Sequence, residues 1–300
     1  MEKRLKLDYL DSISEFERIL KKFNLKKRIY RLLFNARSLE FEQFRDFDET
    51  EDASSIDWPA SLKSNKLLAR QYTEEKEINF YFVVDASSNM LFGSEKRLKA
   101  EYASDMTLSL ANLIMSSQDR AGLIMFNDKI IHYVPPTNLK NQFFLMEELL
   151  SDVSSYGGGA NFEEVFKFLL NIIKNPNNLV IFISDFLNLS LDMDKNLSLL
   201  TKKCEVISFA VRDPLDLELP TTGNSLVIRD PQSGQTMALD TALAKKAYKE
   251  IVEKRTNLVR TTFMNNDIDF LELKITDSFV IPIIQFLQQR SKGGEHGVLA

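Results

Sequence analysis

One cysteine, Cys204, and two histidines, His132 and His296, are all that 300 residues supply of those types. A lone cysteine allows no disulfide within the chain, which suits a reducing compartment. Two histidines argue against a histidine-built zinc site and against Ser-His-Asp or Cys-His catalysis, which need a positioned imidazole. His132 lies in a strand-like segment and reads as a half-buried strand residue. His296 lies in the glycine-rich tail 292–300, which reads as flexible. Long apolar runs are also missing. The longest, Ile78 to Val84 and Leu179 to Ile183, are strand-sized and fall well short of the roughly 20 apolar residues of a membrane span. The start, Met1-Glu2-Lys3-Arg4-Leu5-Lys6, leads into polar sequence, so no secretory leader is expected and a cytoplasmic location is. Basic residues are not in excess: 38 Lys and Arg against 43 Asp and Glu give a net charge of −5. That leaves no electrostatic case for nucleic acid. No internal repeat or low-complexity tract is present.

What is there is an ordinary globular composition, 44% hydrophobic, in a chain long enough for one large α/β domain plus an extension. Residues 1–75 read as an N-terminal helical and extended region packing on a main domain. Leu10, Ile13, Phe16, Leu20 and Phe23 recur near a 3.6 spacing, which predicts an amphipathic helix. The basic stretch from Lys26 to Arg37 reads either as a solvated face or as a docking surface for an acidic partner. Residues 39–77 are acidic and less periodic. They hold the single tryptophan, Trp58, whose ring is expected to be buried as an anchor.

Residues 76–291 alternate apolar strands with helical stretches. Strands are predicted at 78–84, 121–126, 179–183, 205–211 and 268–275. Helices are predicted at 96–116, 138–150, 162–173, 191–200, 241–264 and 279–290. Lys129 to Val134 reads as a hairpin partner stopped by Pro135-Pro136. A hairpin insertion is expected near 215–240 around Pro231-Gln232-Ser233-Gly234. Strands this apolar imply a doubly wound, mostly parallel α/β sheet covered on both faces.

In such a sheet, ligands bind beyond the carboxyl ends of the strands. Two strands end there in acids: Asp85-Ala86-Ser87-Ser88-Asn89 and Ser184-Asp185-Phe186. A carboxylate, a hydroxyl two residues on and an amide two further can aim oxygens at one point, as hard cations prefer. The alternative is that Asp85 and Asp185 cap loops by accepting backbone N–H groups. The run Gly157-Gly158-Gly159 lacks the Gly-Lys-Ser or Gly-Lys-Thr of a phosphate loop. It reads as a loop that lets backbone approach the top of the sheet.

These residues carry a resemblance. Asp85-x-Ser87-x-Asn89 resembles the Asp-x-Ser-x-Ser metal-ion-dependent adhesion site of von Willebrand factor A domains, and Asp185 resembles its distal aspartate. A bacterial branch, the domain-of-unknown-function family 58 proteins associated with MoxR-type AAA+ ATPases, is closer still. Its motifs match, in order, Ile56-Asp57-Trp58, Asp85-Ala86-Ser87, Asp119-Arg120-Ala121-Gly122-Leu123, Pro135-Pro136, Ser184-Asp185-Phe186, and Asp213-Pro214 with Leu219-Pro220. The resemblance implies a von Willebrand A-like, Rossmann-like fold and a non-enzymatic interaction or scaffold module. It implies a partner, a MoxR-type AAA+ ATPase or an acidic residue of a client protein, with a role in assembling or maturing proteins. It also implies one divalent cation, Mg²⁺ or Mn²⁺, held by Asp85, Ser87, Asn89 and Asp185, with Gly158, Gly159, Ala160 and Asn161 as the rim that meets the partner. Two departures stand out. Asn89 replaces a serine, and Ala160 replaces the loop threonine and brings no oxygen; Asn161 and Ser155 are the nearby residues able to compensate. The other functional readings are a metal-independent adaptor that binds through its N-terminal region, and a metal-dependent hydrolase.

Overall fold

The computed structural model describes residues 4–22, 44–47, 58–64, 66–70, 78–190, 193–220, 225–229 and 236–292. Phe23 of the predicted helix, the basic stretch 26–37, Ile56-Asp57, the expected turn Pro231-Gln232-Ser233-Gly234 and the tail from 293 lie outside the described residues.

The centre is a six-stranded sheet. Its strands are β3 (Asn79–Asp85), β4 (Arg120–Phe126), β5 (Ile130–Thr137), β6 (Asn178–Ser184), β7 (Glu205–Arg212) and β10 (Asp269–Lys274), in the spatial order β10-β7-β6-β3-β4-β5. All neighbours run parallel except β5, which is antiparallel to β4. The inner strands are apolar along their length because helices cover both faces, and their side chains alternate between two cores. Phe80, Phe82, Val84, Leu179, Ile181 and Ile183 belong to one core. Tyr81, Val83, Val180 and Phe182 belong to the other.

The first core is covered by α1 (Tyr9–Lys22), α3 (Lys99–Met115), α4 (Lys140–Ser151) and α9 (Val280–Lys292). The second is covered by α5 (Phe162–Ile172), α6 (Asp194–Thr201) and α8 (Thr241–Asn265). The helix α1 follows from its apolar stripe: Phe16 and Leu20 are buried in the first core, and Phe16 meets Phe279 of the α9 end at 6.1 Å. Leu5 is buried just ahead of it, its N–H bonded to the Ser151 carbonyl. Among the described residues there are also two small ribbons. One pairs β1 (Phe44–Asp46) with β2 (Leu68–Arg70), beside the short helix α2 (Trp58–Ser64). The other pairs β8 (Ser225–Arg229) with β9 (Thr236–Asp240), after a single helical turn, α7 (Pro214–Leu217).

Two expectations are corrected. Trp58 does not bury its ring; it is 60% exposed. The α2 helix is fastened instead by the buried hydroxyl of Ser61, which accepts the Leu68 N–H at 2.9 Å. Pro135-Pro136 do not stop β5, which continues to Thr137. An edge strand tolerates residues without an N–H. The Gln142 amide bonds the Pro135 and Ala121 carbonyls, both at 2.8 Å. Gly122 permits the close approach of β5 to β4: a Cβ there would lie 2.7 Å from the Val134 carbonyl oxygen.

No helix among the described residues is long and apolar enough to cross a membrane.

Candidate functional site

The chain leaves β3 for β4 on one side and later returns to β6 on the other, so the strand order reverses between β3 and β6. In doubly wound sheets this switch point opens a crevice at the carboxyl ends of the strands. Val84 pairs with Ile183 across it, so the next residues, Asp85 and Ser184-Asp185, emerge side by side. The structure therefore brings Asp85, Ser87 and Asp185 to the same sheet edge, all buried.

Asp85 is held on both oxygens. Its Oδ1 accepts the Ser87 N–H at 2.8 Å and its Oδ2 accepts the Ser184 hydroxyl at 2.6 Å. Ser184 in turn accepts the Phe186 N–H at 3.0 Å. Burial and then the nearby Asp185 charge raise the Asp85 carboxyl above the usual carboxylate range, against the pull of these hydrogen bonds. Phe186 sits at φ 51°, in the left-handed region that a bulky residue rarely enters. Its ring is held in the second core, 5.7 Å from Phe162 and 5.1 Å from Phe263. The turn after Asp185 is closed by the Leu187 N–H, which donates to Asp185 Oδ1 at 3.0 Å.

The glycine loop lies against the same edge. Gly157 donates to the Ala86 carbonyl at 2.8 Å, and the Gly158 carbonyl accepts from Ser88 at 3.0 Å. Gly158 has φ +72°, a conformation that favours glycine, and a Cβ there would fall 2.2 Å from Asp128 Oδ2, so that side chain would have to move. The neighbouring Gly159 N–H donates to that same Asp128 oxygen at 3.1 Å. Gly158 and Asn161 are exposed, Asn89 and Ala160 half-buried, and Gly159 buried. Asn89 rides on a short 3-10 turn, Ser88–Leu91. Ala160 packs against the second core. Asn161 caps α5, its Oδ1 accepting the Glu164 N–H at 3.2 Å. Ser155 pairs its hydroxyl with the ring of half-buried His132 at 2.9 Å.

Sequence reasoning missed the cation of this site. Lys99, at the start of α3, is 1% exposed. Its ammonium bonds Asp185 Oδ2 at 2.8 Å and Asp216 Oδ2 at 2.9 Å and lies 5.8 Å from the Phe92 ring centroid. Burial alone would lower its pKa, but the two carboxylates outweigh that and raise it. Asp216 belongs to the turn after β7, where it also accepts the Asp213 N–H at 3.0 Å. Asp213 caps that turn and takes both the N–H and the hydroxyl of Ser94, at 2.7 and 2.6 Å. Arg212 donates to the Asp185 carbonyl. A signal was present: Lys99 continues the stripe of Tyr102, Met106 and Leu110, all buried, and a lysine on a buried stripe is almost never without a partner.

These contacts bear on whether the edge fits a divalent ion. Ser87 Oγ is buried without a hydrogen-bond partner, as a free ligand would be. The two carboxylates are committed: Asp85 is bonded through both oxygens, and Asp185 takes the Leu187 N–H and the Lys99 ammonium. Among the described residues, no three His, Cys, Asp or Glu side chains are grouped to hold a metal. The Lys99 ammonium already holds the Asp185 oxygen that such an ion would share, and two cations on one carboxylate oxygen repel each other. As arranged, the residues do not fit a divalent ion beside Lys99.

The motif order along this frame matches a known family model over residues 43–258, that of the DUF58 proteins of unknown function. The chain belongs to the DUF58 family. An uncharacterized protein of Mycobacterium tuberculosis is 23% identical to this DUF58 protein over 256 residues, covering 84% of this chain and 80% of the relative. Among solved structures, the conserved hypothetical protein BatB from Bacteroides thetaiotaomicron is similar at a TM-score of 0.47 and 16% identity, over 72% of this chain and all of that one. The SpRpn10 VWA domain is similar at a TM-score of 0.37 and 11% identity, over 75% of this chain and all of that one.

Proposed function

We propose that this DUF58 protein is a non-enzymatic interaction module, and that it recognises a protein partner at the carboxyl edge of its sheet. One observation carries the reading. Three segments distant in sequence, the β3 tip, the β6 tip and the glycine loop, are locked together at the switch point by backbone and carboxylate hydrogen bonds. The outward positions of that rim, Asn89, Gly158 and Asn161, stay at least partly open. A rigid rim around a shallow edge suits docking of another protein's loop. The ordered family motifs support a MoxR-type AAA+ ATPase as partner and a role in protein assembly or maturation. An adaptor acting through a free N-terminal helix is less well supported, because α1 is packed on the first core through Phe16 and Leu20, although Leu10 stays exposed.

The test is affinity capture from the native host with tagged wild-type protein and with the rim variants Asn89→Arg and Asn161→Arg. The expected result is recovery of a MoxR-type ATPase by the wild type and a loss of at least tenfold with a rim variant that remains folded. Recovery of the ATPase undiminished by both rim variants would place the contact elsewhere. Absence of any AAA+ protein would sink the partner assignment.

A further inference from the structure

The carboxyl edge already contains a cation, and it is covalently part of the chain. We propose that the Lys99 ammonium, by bridging the Asp185 and Asp216 carboxylates, fills at this edge the role a divalent ion would otherwise have, so that recognition there is independent of divalent metal. The proposal rests on reading this edge as the recognition surface.

Three observations converge on it. First, the ammonium joins the elements that build the edge: it rises from the start of α3 and bonds the carboxylate after β6 and the carboxylate after β7. Bridging carboxylates from separate strands is the structural work of a bound cation. A lysine does it without a binding equilibrium, because its four-carbon stem is anchored in a helix whose buried face begins at Lys99 itself. Second, a buried ammonium is tolerated only when paired and hydrogen-bonded; here both Asp185 and Asp216 face it, while the Asp213 carboxylate is turned to Ser94 and the Leu215 N–H. Third, most of the oxygens that would complete a metal shell are already bonded, Ser87 Oγ being left without a partner. Asp85 is bonded through both oxygens, Asn161 caps α5, Ser155 is paired with His132, and Ala160 contributes a methyl. The partner consequence is also defined. An ammonium buried to this degree offers no open position for a partner's carboxylate, so contacts at the rim are made with the exposed amides and backbone and not through a bridging ion.

The experiment uses the full chain and Mn²⁺ as probe. Titration calorimetry and thermal unfolding are run on the wild type and on Lys99→Met in metal-free buffer and in millimolar Mn²⁺. For the wild type, no saturable heat and no rise in Tm are expected. Lys99→Met, with its carboxylates vacated, is expected to gain a Tm that climbs with Mn²⁺, as mass action requires for a ligand that binds only the folded state. Saturable Mn²⁺ binding by the wild type, abolished in Asp185→Asn, would overturn the proposal. So would a folded Lys99→Met as indifferent to Mn²⁺ as the wild type. Should Lys99→Met not fold, the wild-type titration decides alone. The recognition reading fails differently: capture of the ATPase would then be absent both in EDTA and in Mg²⁺. Capture that requires Mg²⁺ would keep that reading and refute the lysine's role.

Discussion

Removing the Lys99 charge should cost far more than removing a surface lysine. Methionine at this position keeps most of the aliphatic stem and deletes the ammonium. The side chains of Lys99, Asp185 and Asp216 are 1%, 2% and 11% exposed, so the two carboxylates left behind cannot simply return to water. Breaking a buried ion pair by deleting one partner costs about 3–5 kcal/mol. With a urea m-value of about 2–3 kcal/mol/M, that lowers the unfolding midpoint by about 1–2.5 M. Far-UV circular dichroism is the appropriate probe, because the only tryptophan is exposed on the extension and does not report on the core. Lys167→Met is the control: its pair with Glu163 is 60% and 56% exposed, and its midpoint should match the wild type. The double variant Lys99→Met with Asp216→Asn should be less unstable than the two single changes summed, by about 1 kcal/mol or more. A Lys99→Met midpoint within about 0.5 M of the wild type, with unchanged m-value, would show that the ammonium is not desolvated. The account of the edge would then lose its centre.

Three further outcomes follow from the geometry. Gly158→Ala should destabilise by about 1–2 kcal/mol, since a left-handed backbone penalises any Cβ and the Asp128 carboxylate must move from its bond to the Gly159 N–H; rim-dependent capture should fall with it, and an unchanged midpoint would refute the strain. Phe186→Ala should cost about 3–5 kcal/mol by chemical denaturation, as expected for a core aromatic, because the ring is 1% exposed and stacked on Phe162. A pH effect should come from Asp105 on α3, whose pKa is pushed up to about 6, by burial first and against the opposing pull of Arg97 and the Asp8 N–H. A raised folded pKa means that its contribution is present below the unfolded value near pH 4 and is lost as pH rises through about 6, by up to about 3 kcal/mol. Asp105→Asn should flatten stability between those limits, and an unaltered slope would assign it to other groups.

Much of the frame was legible in local sequence. The strand runs at 78–84 and 179–183 fall within one residue of β3 and β6, because burial on both faces demands unbroken apolarity and leaves little else such segments can be. The acids ending those runs were legible as neighbours for the same reason: parallel strands place their carboxyl ends together. Edges were harder. The β5 boundary was misplaced because proline is excluded from central strands and allowed on edge strands, and position in the sheet is not written locally. Trp58 was misjudged because aromatic character states that a ring is able to bury, not that a surface is available to receive it.

The sequence by itself determined that this is a doubly wound α/β domain with carboxylates at two strand tips, through patterns carried by residues a few positions apart. Only the tertiary structure decided what holds them: Asp85 is bonded by the Ser87 N–H and the Ser184 hydroxyl, Asp185 by a lysine. Lys99 meets partners 86 and 117 residues away. Charge is long-ranged in space but has no periodicity along a chain, so no spacing in the sequence marks a lysine that folding takes out of water.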